Sequence, residues 1–178
     1  MPVRDSSTSS SHVRPAEAHH GSDAAIAEQV RAHHASMVAD LDRLTAALRD
    51  APAAEQDSAR TTLQEWFQSV LVPHADEEED TTYRAAAELA EGRLLIEAMV
   101  REHLLIKRLV ALVGDSEPPG AAAYGRAVFE AFSSHQAKEN DVVLPLLVDA
   151  PQVSLADVMG GAHTHQLGEH THLESNGP

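Results

Sequence analysis

The chain contains no cysteine, which excludes disulfides, thiolate metal sites and redox thiols. Aromatic residues make up only 3% of its 178 positions, and Ala, Leu, Val and Glu are abundant, a balance that favours helices over a sheet. Positive charge is also scarce: 13 Lys and Arg stand against 28 Asp and Glu, for a net charge of −15. That argues against a nucleic-acid partner and against an anionic membrane surface. No apolar run reaches the ~18 residues of a membrane span, and the N-terminus lacks the apolar core of a signal segment. The expectation is a cytoplasmic protein without membrane contact. Its length suits one compact domain with tails.

What the sequence has in excess is histidine, with 12 in all. His12, His19, His20, His163, His165, His170 and His172 lie towards the two ends, in segments poor in apolar periodicity. Residues 1–21, rich in Ser, are expected to form a disordered tail, and 161–178 a loose His-rich tail, flanking a domain over 22–160. His33, His34, His74, His103 and His135 fall inside that domain.

Four amphipathic patterns divide it. The first runs from Asp23, read as an N-cap, to Asp50, with Val30, His34, Met37, Leu41, Leu44 and Leu48 on one face. The second carries Leu63, Phe67, Val70, His74 and Glu78, with Gly92 closing it or opening the next. Pro73 is expected to kink it. The third has Ile96, Met99, His103, Ile106, Val110 and Val113 and stops at Gly114. The fourth has Tyr124, Val128, Ala131, His135, Glu139, Val142 and Leu146, with Pro145 bending or ending it. "SLADVMGGAH" reads as a short capped helix, with Ser154 and Asp157 in capping-box-like positions. These patterns predict an all-α fold, an up-down antiparallel four-helix bundle with a short C-terminal helix.

In an antiparallel hairpin, two residues share a level when the turn lies midway between them. The midpoint of His34 and His74 is residue 54, inside "APAAEQD"; that of Glu78 and His103 falls at 90–91, beside Gly92; that of His103 and His135 is 119, in "EPPG". One histidine per helix is therefore expected at a single level in the core. A lone buried histidine is more often a hydrogen-bonded core residue than a ligand. Four at one level, two of them followed at i+4 by Glu, reverse that preference, because unpaired imidazoles and carboxylates are costly to bury and a cation removes the cost. His33, one residue off the seam, is expected outside. Asp76, Glu77, Glu79 and Asp80 are expected in solvent, with Glu77 or Glu79 available to support a ligand from behind. Met37, Met99 and Trp66 read as packing.

The candidate metal ligands are thus His34, His74, Glu78, His103, His135 and Glu139. If Glu78 and Glu139 each bridge, His34 and His74 serve one ion and His103 and His135 the other. A bridging oxo or hydroxo group would add a fifth donor to each and leave one position open. Mixed N/O donors with open positions favour iron or manganese; zinc fits but brings no redox chemistry.

The four pieces "AHHASMVADL", "VPHADEEEDTTY", "REHLLIKRLV" and "HQAKENDVVLPLL" together resemble the hemerythrin family, in particular its HHE cation-binding domains, over residues 23 to 160. The resemblance implies a non-haem, oxo- or hydroxo-bridged centre of two iron ions on the same six residues. Oxygen-carrying members have a second histidine where this chain has Lys107, and usually end helix four with His-x4-Asp where it has His135-x3-Glu139. That departure argues against reversible oxygen transport. The implied function is binding of O2, NO or H2O2, extending to catalase-like peroxide disproportionation and served by an unidentified redox partner. The alternative is a non-catalytic iron, oxygen or redox sensor or iron-binding module. A third reading, metal handling through the His-rich ends, is the weakest.

Overall fold

The computed structural model describes residues 15–160, with side chains from residue 21 onward. Among these residues there are helices and turns and no strand. Helix α1 spans Pro15–Asp50, α2 Gln56–Trp66, α3 Val72–Asp80, α4 Thr82–Ala87, α5 Gly92–Asp115, α6 Pro118–Lys138 and α7 Leu144–Asp149; residues 155–160 add a last short helix. A π-helical turn, Phe67–Leu71, joins α2 to α3, and a second, Glu139–Val143, joins α6 to α7. The main packing pairs are α5 with α6 and α1 with α6, then α1 with α2 and α4 with α5.

Helix α1 starts at Pro15, upstream of the expected Asp23, with proline at a first position where its missing N–H costs nothing. Asp23 is only 3% exposed. It caps a different helix, its Oδ1 accepting from Ala156 N–H at 3.2 Å, while Ser154 Oγ accepts from Asp157 N–H at 3.3 Å as the capping pattern predicted. The turns at 51–55 and 88–91 contain the midpoints 54 and 90–91; the third turn, at 116–117, lies just before midpoint 119, which falls in the first turn of α6. Of the expected tail at 1–21, residues 1–14 lie outside the described residues and 15–21 belong to α1 instead; the tail at 161–178 lies outside them.

Pro73 and Pro145 each follow a π turn inside a continuous helical run. A proline cannot donate to the carbonyl four residues back, and its ring crowds that carbonyl. The wider turn accommodates both: Val72 N–H donates to Phe67 O and Leu144 N–H to Glu139 O, each five residues back. The extra residue also moves the buried face. In the second arm Leu63, Phe67, Leu71, Ala75 and Glu78 are buried, so Leu71 replaces the expected Val70, which is half-buried. In the fourth arm Val128, His135 and Glu139 are buried as expected. Beyond the π turn the core residues are Val143 and Leu147, with Val142 46% exposed and Leu146 half-buried. Before it, Gly125 and Phe132 take the places expected for Tyr124 and Ala131. Helix α5 has no π turn, and its six expected seam residues are all buried.

The apolar core forms two clusters. One gathers Leu41, Leu48, Leu63, Phe67, Val113 and Phe132 among others; the second gathers Ala27, Tyr83, Ala86, Met99, Leu147 and Leu155 among others. Met37 belongs to the first and Trp66 packs against it, so both methionines and the tryptophan pack as expected. The buried polar residues between these two stretches of each helix are His34, Glu78, His103, His135, Gln136 and Glu139.

Candidate metal centre

Each arm supplies its part from a fixed register. Helix α1 gives His34, α3 gives His74 and Glu78, α5 gives His103, α6 gives His135, and the second π turn begins at Glu139. His34, His103, His135 and Glu139 are at most 2% exposed, and the His74 and Glu78 side chains 13% and 12%. The structure brings all six together. They form two overlapping sets, His34–His74–Glu78–Glu139 and Glu78–His103–His135–Glu139, with one donor atom per residue and the donors of a set within 4.8 Å of one another.

Donor spacing fits an ion in each set. His34 Nε2 and His74 Nε2 lie 3.4 and 3.1 Å from Glu78 Oε1, His103 Nε2 lies 3.5 Å from Glu78 Oε2, and His135 Nε2 lies 3.2 Å from Glu139 Oε1. Two donors about 2.1 Å from one ion and at a right angle to each other lie ~3 Å apart. The protonation pattern points the same way. His34 Nδ1 is 2.8 Å from Asn140 Oδ1, an atom that can only accept, so in the neutral ring that would ligate a metal the proton belongs on Nδ1 and the Nε2 lone pair faces Glu78. His34 Nε2, Glu78 Oε2 and Glu139 Oε2 are buried without a hydrogen-bond partner among the described residues. Lone pair facing lone pair in a low-dielectric core is repulsive, and a cation between them turns it into ligation.

Taken among the protein groups alone, burial pushes the Glu78 carboxyl up, but His103, His34 and His74 around it outweigh that and hold it well below the usual carboxylate range. Burial lowers His74 and His135, while Glu78 beside the first and Glu139 beside the second reverse the direction and hold both above the ordinary imidazole value. A metal entering here takes the place of protons.

Several further residues, of which the sequence pattern had singled out only Glu79, complete the site. Tyr83, 2% exposed, donates its hydroxyl to Glu139 Oε1, stands 2.9 Å from His135 Nε2, and stacks its ring on His103 with centroids 5.1 Å apart. Burial first, and then Glu139 and Glu78, push the phenol far above its ordinary pKa, so it keeps its proton. Its oxygen lies among the donors of the second set and is itself of a type iron accepts. Glu102 and Glu79 accept from His135 Nδ1 and His103 Nδ1, each at 2.9 Å. Gln136 Nε2 is 3.4 Å from His74 Nε2.

Of the two acids considered for support, Glu79 takes the role and Glu77 remains exposed, as do Asp76 and Asp80. His33 is exposed, with its ring 5.4 Å from that of His74. Lys107 turns its ammonium to Asp76 at 2.7 Å and Glu79 at 3.1 Å. A cavity of about 410 Å³ has His34, His74, Glu78, Tyr83 and Glu139 in its lining, together with apolar walls that include Val30, Leu144 and Met159.

No described helix is long and apolar enough to cross a membrane. The family model "Hemerythrin HHE cation binding domain" matches residues 25–147. No curated protein and no solved structure matches the chain.

Proposed function

Because this chain belongs to the hemerythrin HHE cation-binding domain family, we propose that it is a non-haem di-iron protein that binds O2, NO or H2O2 and consumes peroxide in a catalase-like reaction. The observation that carries this reading is the sharing of Glu78 and Glu139 between two sets of four donors. His34 and His74 would hold one ion, His103 and His135 the other, and the two carboxylates would span both. The arms are read as an up-down antiparallel four-helix arrangement, supported by the short turns between them. A cytoplasmic setting and an unidentified redox partner belong to the same proposal.

Bound there, a pair of irons would supply open coordination positions and a two-electron redox couple. The chain supplies the rest. The Nδ1 partners of three histidines fix which nitrogen faces the centre and how each ring is turned. Tyr83 holds a proton at its hydroxyl, in contact with Glu139. The apolar cavity walls limit water while leaving His34 and His74 reachable.

Metal analysis of the purified protein with an absorption spectrum, followed by a hydrogen peroxide consumption assay, tests this. About two irons per chain, near-ultraviolet oxo-to-iron bands and peroxide loss support the proposal. A folded, colourless protein without iron would sink it. Two irons without peroxide turnover would leave the sensor or iron-binding module as the function.

A further inference from the structure

We propose that the two halves of the metal centre bind their ions with unequal affinity by construction: the carboxylates behind His103 and His135 make theirs the tighter half, while His34 and His74 hold the more readily exchanged ion. The inference rests on the two-ion reading above and concerns what lies behind the ligands. His103 Nδ1 donates to Glu79 and His135 Nδ1 to Glu102, each at 2.9 Å. Each of these carboxylates is held in turn by a lysine, Lys107 on Glu79 and Lys138 on Glu102. Both rings of this half are thus backed by a carboxylate.

The other half is built differently. His34 Nδ1 donates to the neutral amide oxygen of Asn140 at 2.8 Å. His74 has Glu78 and Gln136 as its polar partners among the described residues, both at Nε2, and so no hydrogen-bond partner at Nδ1 among them. A carboxylate accepting from Nδ1–H draws that proton away and moves electron density to Nε2, making it the stronger donor to a metal. An amide does this far less. The position of the cavity, an independent observation, follows the same line for the imidazoles. Its lining has His34 and His74 but neither His103 nor His135, with Glu78, Glu139 and Tyr83 reaching it from between. The histidines with stronger donors stand away from the cavity, and those with weaker donors line it. Glu79, Glu102 and Asn140 are therefore positioning residues, acting on the ions through imidazole.

The test is an anaerobic Co(II) titration of the full chain, followed by visible absorption and chelator competition. Wild type should bind two ions in separate steps. Glu102→Gln should weaken the tighter step about 10- to 100-fold and leave the weaker one in place. Glu79→Gln should act on the same step. Asn140→Asp should tighten the weaker step, since Arg31, which donates to the Asn140 carbonyl, is at hand to offset the new charge. A purely structural role for these residues would move both steps together or neither. Two ions bound with one indistinguishable affinity, or a Glu102→Gln loss shared by both steps, would overturn this proposal and leave the two-ion reading standing. A wild-type stoichiometry of one would remove that reading and this proposal with it. Should Glu102→Gln fail to fold, Glu79→Gln and Asn140→Asp decide the outcome.

Discussion

His33 and His34 are neighbours in sequence, separated by about 100° around α1. His34 is 1% exposed and faces Glu78, whereas His33 is exposed. His34→Ala should therefore lower the metal content of the purified protein strongly and His33→Ala far less; equal losses would show that the register of α1 is wrong. Tyr83 offers a second test. Its hydroxyl donates to a buried carboxylate, and a hydrogen bond to a charged group contributes about 1.5–3 kcal/mol. Tyr83→Phe should lower the stability of the chelator-treated protein by that amount in urea denaturation. No change would mean that Glu139 does not depend on the phenol. The six ligand candidates were legible because each histidine sits at the height the turns dictate. Glu102 and Asn140 were not, because each lies one residue from a seam position and reads as flank. Tyr83 was hidden for another reason. The chain breaks at Thr81, with φ −120° and ψ −90°, so helical phase does not carry across from Glu78.

At the scale of the element, the arms that carry His-x3-Glu are the two that contain a π turn. The buried positions Leu63, Phe67, Leu71, Ala75 and Glu78 are spaced 4-4-4-3. Taking one residue out between Phe67 and Leu71 restores 4-3-4-3. In the fourth arm the run from His135 through Glu139 and Val143 to Leu147 is spaced 4-4-4, and one residue fewer after Glu139 gives 4-3-4. Each π turn thus behaves as a one-residue insertion into a regular seam. This is why periodicity identified the helices but misassigned Val70, Val142 and Leu146: a 3.6-residue template has no place for an added residue. Deleting exposed Gln68, together with Pro73→Ala so that no ring re-enters a regular turn, should leave a helical protein that melts cooperatively. Deleting exposed Ala98 from α5, which holds no such insertion, should rotate its seam and abolish cooperative melting. Circular dichroism on the two deletions compares them directly, and equal damage would contradict the insertion reading.

Across the whole molecule, a polar layer separates two apolar clusters. The cluster of Leu41, Leu63, Val113 and Phe132 draws on the long helices, while that of Tyr83, Ala86, Leu147 and Leu155 draws largely on short segments. Bound metal would remove the repulsion between those clusters, so chelation should lower the melting temperature and loosen the second cluster first. Hydrogen exchange should then show protection lost in α4 and α7 before α2 and the first half of α6; uniform loss would contradict this. The contacts that close the structure also differ in sequence span. His135 to Glu102 joins residues 33 apart within one helical hairpin, whereas His34 to Asn140 spans 106 and Asp23 to Ala156 spans 133. Loop closure costs grow with span, and short-span contacts form early. The order of assembly follows. Refolding should bring His103 and His135 together while α1 is still undocked, so their half of the centre exists before the half that needs His34 does. Pulsed hydrogen exchange should find α5 and α6 protected ahead of α1, and a metal ion captured during refolding would have only the His103–His135 half to occupy until the first helix docks on the last.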